Sequence, residues 1–224
     1  NPRLFAGLVG FPNFAPKAKR VIYLFQSGAP SQFELLDHKP ELTKAHGQVL
    51  GSEFFGGQRL TGMTSGQKEK KVCKSIYNFS RHGQSGTELS ELLPHLGQVA
   101  DELCVVRSMH TEQINHDPAH TFMNSGTQIS GRPSMGSWVT YGLGSVSRNL
   151  PSFVVMSDPK GRGLPKGHAA NWGAGFLPSV FQGTHLRPQG EAIDNLKRPA
   201  DMNDAQQRAQ LGLLARLNRR HLEA

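Results

Sequence analysis

The sequence predicts an α/β fold with a mainly parallel sheet flanked by helices. Three observations predict it. Short, almost wholly apolar runs recur at Arg20–Phe25, Leu103–Val106 and Ser152–Met156, each closed by a polar loop, as strands buried on both faces are. Segments with helical spacing lie between them, so the order strand, loop, helix repeats along the chain. The polar stretches 26–37, 107–120 and 157–175 each follow a predicted strand, and in such folds the loops at the carboxyl ends of strands gather on one edge, where ligands bind.

The elements follow in order. Residues 1–18 are rich in Gly and Pro and predict an irregular arm ahead of one domain over 19–224. Arg20–Phe25 (RVIYLF) predicts the first strand, ending at Gln26-Ser27-Gly28. Residues 38–86 are polar and glycine-rich and predict a long excursion with one hairpin turning at Gly56-Gly57. Apolar residues at 89, 92, 93, 96, 99, 100 and 103 predict a helix over Leu89–Leu103. Leu103–Val106 (LCVV) predicts the second strand. Asp117 and Pro118 are a favoured N-cap and first-turn pair, so a helix is expected over Pro118–Asn124. Ser137–Leu143 predicts another helix and Ser152–Met156 a third strand. From Ala200 the chain turns helical to its last residue, with Leu211, Leu214 and Leu217 on one side.

Composition narrows the function classes. The formal charge of +8 favours anionic partners. The basic residues are dispersed among acids, without a stripe interleaved with aromatics, which argues against a nucleic-acid interface. No apolar run reaches the ~18–20 residues that cross a bilayer, so no membrane span is expected. The apolar N-terminal patch is broken by Gly and Pro and does not read as a signal peptide. Cys73 and Cys104 are in no C-x-x-C pair, which excludes a zinc knuckle. They are open to two readings, one disulfide or two thiols, with Cys104 expected in the core.

The chemistry concentrates in residues 110–126, HTEQINHDPAHTFMNSG. His110, His116 and His120 fall within eleven residues, out of ten histidines in the chain. Imidazole is a common metal ligand and titrates near neutrality. Beside a helix N-terminus it suits a metal, an anion or both. His116 is a candidate nucleophile, proton donor or ligand, and His120 a candidate ligand or oxyanion holder; loop and cap roles are the alternative for both. Arg107 and Arg132 flank the segment, and their forked donors suit a tetrahedral oxyanion. Ser134 and Ser137 are open to two roles, helix cap or ligand contact, of which the cap is favoured. Glu34 and Asp37, after the first strand, are candidate ligands for a hard metal, with His110 as a further ligand. His168 and Asp158 lie on loops near the same predicted edge.

The blocks RVIYLFQSGAPSQFELLDHKP, SELLPHLGQVADELCVVRSMHTEQINHDPAH, GRPSMGSWVTYGLG and LPSFVVM resemble, from about residue 16 to the end, a large uncharacterised family of exported bacterial proteins abundant in planctomycetes and often called sulfatase-like. The resemblance places the chain in the alkaline-phosphatase superfamily and implies a three-layer α/β sandwich, incomplete in this chain. The sulfatase pattern Cys/Ser-x-Pro-Ser-Arg-Ala, three residues, Thr-Gly is similar to His116-x-Pro118-Ala119-His120-Thr121, three residues, Ser125-Gly126. His116 falls at the nucleophile and His120 at the arginine. The Cys or Ser from which sulfatases make formylglycine is missing here. The resemblance implies a metal-dependent hydrolase of sulfate or phosphate esters, possibly on polysaccharides, with divalent ions (Zn, Ca or Mg) as cofactors. It implies export to the periplasm or beyond. Two other classes stand beside it: a non-catalytic relative that binds anionic glycans or a partner protein, and an exported structural component of the envelope.

Overall fold

In the computed structural model the described residues are 7–15, 17–28, 30–55, 62, 66–147, 150–158, 167–193 and 196–223. They fall into two compact units, Ala18–Phe122 and, together, Asn1–Lys17 with Met123–Ala224.

The first unit begins with two short helices, α1 (Gln32–Leu35) and α2 (Pro40–Lys44). Pro40 suits the first turn of α2, where a backbone N–H has no intrahelical partner anyway. An isolated bridge between Val49 and Lys71 spans the excursion. The expected hairpin turn at Gly56-Gly57 lies outside the described residues.

An antiparallel hairpin follows, β1 (Phe79–His82) and β2 (Thr87–Ser90), with Phe79 opposite Ser90 and His82 opposite Thr87. Its turn is held from outside. The Asp101 carboxylate accepts from the backbone N–H groups of Gln84 (2.9 Å) and Ser85 (2.8 Å). These bonds draw its pKa below the usual carboxylate range. Gly83 has φ +66°, and a Cβ there would lie 2.4 Å from the Asp101 carboxylate, so the turn needs glycine on both counts. Leu89 is fully buried beneath the hairpin, and Ala100 is nearly so.

The helix expected over Leu89–Leu103 is therefore replaced by β2, a one-turn helix α3 (Pro94–Gly97) and a 3-10 turn at Ala100–Glu102. Two forces decide this. Phe79–His82 captures residues 87–90 as a strand partner, and Pro94 is tolerated at a helix start but not in its interior. The expected first and second strands are likewise not formed. Residues 20–25 and 103–106 run without a ladder partner among the described residues. Val21, Ile22 and Leu24 are exposed, and so is Cys104, against the expectation of burial. Both cysteines are free thiols on the surface.

Helix α4 (His116–Ser125) spans the division between the units. It starts two residues earlier than expected, because Ala119 N–H reaches the Asn115 carbonyl (3.1 Å). Pro118 then sits third in the helix, still among the positions whose N–H groups lack intrahelical acceptors.

The second unit continues with α5 (Met135–Leu143). Ser134 is its N-cap and accepts from Ser137 N–H. Ser137 Oγ donates to the Gly173 carbonyl (3.0 Å), which also accepts from Ser134 N–H (3.0 Å). Both serines are buried, so the favoured cap reading holds for Ser134. A parallel pair, β3 (Val154–Met156) and β4 (Thr184–Leu186), matches the third expected strand. Short 3-10 turns at His168–Asn171 and Ser179–Phe181 lie between its strands. Trp172 is buried here and stacks on His185, ring centroids 5.4 Å apart. The final helix α6 (Asp204–Glu223) agrees with the helical pattern read from Ala200. Leu211, Leu213, Leu214 and Leu217 on it are each about half exposed. No helix among the described residues is long and apolar enough to cross a membrane.

Candidate functional site

Helix α4 exists because Asn115 can accept its first hydrogen bond, Asp117 complements the dipole in the first turn, and Pro118 costs nothing there. It places His116 and His120 one turn apart on the same face. Their ring centroids are 5.9 Å apart and tilted by 44°. His116 is exposed; His120 is buried, 7% accessible. The Phe25 ring meets His120 edge-on at 5.2 Å, and Tyr23 stacks on Phe25 at 5.7 Å. Partial burial pushes the Tyr23 hydroxyl pKa up. Residues 20–25, expected as a strand, thus supply through Phe25 an aromatic backing to His120. Thr121 Oγ donates to the Asp117 carbonyl (3.0 Å), tying the first turn of the helix to the next.

The remaining predicted residues are placed as follows. His110 is exposed in the segment before α4. Glu34, in α1, accepts from Ser75 Oγ at 2.6 Å. Asp37 pairs with Lys39 at 2.8 Å. Among the described residues no three of His, Cys, Asp and Glu gather in a way that would hold a metal ion. Two imidazoles at i and i+4 are spaced to share one ion. The carboxylates expected to join them have other partners.

Arg107 lines an open cavity of about 390 Å³ together with Arg81, Gly86, Thr87, Glu88 and Val105, and none of the three histidines is in that lining. Arg132 belongs to the second unit, with its guanidinium 5.9 Å from the centre of the Phe176 ring. The backbone beneath it is fixed by Gly175, at φ +57°, where a Cβ would come within 2.5 Å of the Arg132–Pro133 peptide. His168 opens a 3-10 turn with φ 44°, and Asp158 is exposed near the end of β3.

A family model described as "Protein of unknown function (DUF1501)" matches residues 18–224. The chain belongs to the DUF1501 family. Comparisons with curated proteins and with solved structures gave no match.

Tyr23, Phe25 and Arg81 of this DUF1501 chain carry no functional signal in the sequence alone. The apolar run around Tyr23 and Phe25 suits a buried strand, yet aromatics two residues apart in an extended segment share one side and can line a single wall. Arg81 carried no signal until the hairpin register placed it opposite Glu88. The i, i+4 spacing of His116 and His120 was visible, and helix α4 converts it into a shared face.

Proposed function

We propose that this DUF1501 chain is a hydrolase of sulfate or phosphate esters, with a saccharide ester as its substrate class, acting in the periplasm or outside the cell. The observation that carries the reading is the imidazole pair: an exposed His116 on the first turn of a ten-residue helix, backed by a buried His120 one turn on. Exposure leaves His116 free to meet a substrate, and the aromatic packing of His120 gives the face a rigid floor. The positive end of the helix dipole favours the anionic ester. Asp117 in the same turn offsets part of that field, so the imidazoles and not the dipole alone must supply the chemistry.

In this reading the lone pair of a His116 ring nitrogen attacks phosphorus or sulfur. The bond to the ester oxygen breaks, and the departing alkoxide takes a proton from solvent or from a protonated His120. Water then cleaves the bond to nitrogen, releasing phosphate or sulfate and restoring the imidazole. The alkaline-phosphatase-like sandwich and a divalent ion of zinc, calcium or magnesium belong to the reading through the sequence resemblance. Glu34, Asp37 and His110 form no common ligand group among the described residues.

A second reading is favoured by the same carboxylates. With Glu34 held by Ser75 and Asp37 by Lys39, the face would bind an anionic glycan without cleaving it. Aryl sulfates and aryl phosphates separate the two readings. A hydrolase releases the phenol, loses at least about a hundredfold in rate on His116→Ala, and with an aryl phosphate, quenched under alkaline denaturing conditions that preserve the acid-labile P–N bond, yields a phosphohistidine at residue 116 by mass spectrometry. Undiminished turnover in His116→Ala removes His116 as the attacking group. Binding without turnover in the unaltered protein selects the second reading.

A further inference from the structure

The β1–β2 hairpin carries a second charged feature. Arg81 stands opposite Glu88 in register, a placement that ordinarily gives a cross-strand ion pair. Glu88 is otherwise engaged: its Oε1 lies 3.1 Å from His38 Nδ1. His38 is fixed by flat stacking on Phe79, ring centroids 4.5 Å apart and 7° from parallel. Arg81 and Arg107 consequently have no carboxylate partner among the described residues, and both line the 390 Å³ cavity. The walls are preorganised. Asp101 pins the turn, the Ser85 and Thr87 hydroxyls lie 2.9 Å apart, and Leu89 is buried below. Arg81 and Arg107 line the same open cavity, and the forked donors of a guanidinium match a tetrahedral oxyanion. Glu88 lines the same cavity, and a carboxylate beside it disfavours a ligand that is anionic throughout. A cavity of this size falls in the range of small-molecule sites.

We propose that the cavity between Arg81 and Arg107 is a binding site for a small hydroxylated molecule carrying one sulfate or phosphate group, such as a monosaccharide sulfate or phosphate. The site stands whether or not His116 attacks an ester.

Titration calorimetry at low ionic strength tests it, on the full chain carrying His116→Ala so that turnover cannot intrude. Glucose 6-sulfate and glucose 6-phosphate are expected to bind, the phosphate ester more tightly than inorganic phosphate, and glucose itself not at all. Arg81→Gln and Arg107→Gln should each weaken binding about tenfold, the scale of one charged hydrogen bond. Arg208→Gln, which removes the same charge from α6, should leave it unchanged. Arg107→Lys keeps the charge but not the fork and should also weaken binding, which covers a misfolded glutamine variant. Equal losses in Arg208→Gln would show a bulk charge effect and overturn the site. So would the absence of binding in the parent, or tenfold-weaker variants that failed to appear.

Discussion

The imidazole pair predicts an asymmetry that mutation can expose. His120 is 7% accessible and meets Phe25 edge-on at 5.2 Å, whereas His116 is exposed. Truncating His120 to alanine removes a buried ring, and losing a buried side chain of that size costs roughly 1.5–3 kcal/mol. The edge-to-face contact adds about 0.5–1.5 kcal/mol. Relief from burying a polar imidazole returns part of that, so the net is about 2–3 kcal/mol. For a chain of this length each kcal/mol shifts Tm by roughly 2–4 °C, giving a fall of about 4–12 °C. His116→Ala should change stability by no more than about 0.5 kcal/mol, as exposed substitutions do. Thermal melts followed by circular dichroism, with denaturant titration as a check, measure both. His120→Phe separates packing from chemistry: it keeps the ring on Phe25 and should recover most of the lost Tm while lowering any turnover. His116→Ala as destabilising as His120→Ala, or His120→Ala melting with the parent, would refute this asymmetry.

Other outcomes follow from the packing. Leu89→Ala should cost about 2–5 kcal/mol and be the most damaging truncation in the first unit, read as a shifted denaturant midpoint. Gly175→Ala combines a left-handed φ with a backbone clash and should lower stability by at least about 2 kcal/mol, seen as poor soluble yield or a depressed Tm. Ser134→Ala removes the cap of α5 and should cost about 0.5–2 kcal/mol by melting. Asp101 carries the pH dependence. Its folded pKa lies below its unfolded value, so its support is present above about pH 4 and is lost as pH falls through the folded value. Amide exchange at Gln84 and Ser85 should accelerate over that acid range, and Asp101→Asn should show little of this acid dependence.

The sequence revealed what local chemistry decides. Helices α4, α5 and α6 were legible because caps, Pro118 and periodicity act within one or two turns. β3 was legible as a short β-branched run. The hairpin was not, since the apolar spacing of 89–103 suits a helix and only pairing with residues 79–82 overrides it. Runs 20–25 and 103–106 misled because an apolar stretch records a demand for burial and says nothing of which partner meets it. For the site, His116 and His120 were found as residues but not as one exposed and one buried group. Arg107 was found as a charge, while its companion Arg81 emerged only from strand register. Glu34 and Asp37 were plausible ligands by type, and their actual partners, Ser75 and Lys39, could not be read from spacing.

The clamp at Asp101 also has a kinetic meaning. Strands 79–82 and 87–90 and the carboxylate that closes their turn all lie within a short stretch of chain, so little loop-closure entropy opposes their meeting. Contacts so local form early. Residues 79–102 are therefore expected to form a nucleus, and changes at Gly83, Leu89 or Asp101 should slow refolding, followed by stopped-flow, more than they hasten unfolding. The wall of the cavity that carries Arg81, Thr87 and Glu88 would then take shape before Val105 and Arg107 close it.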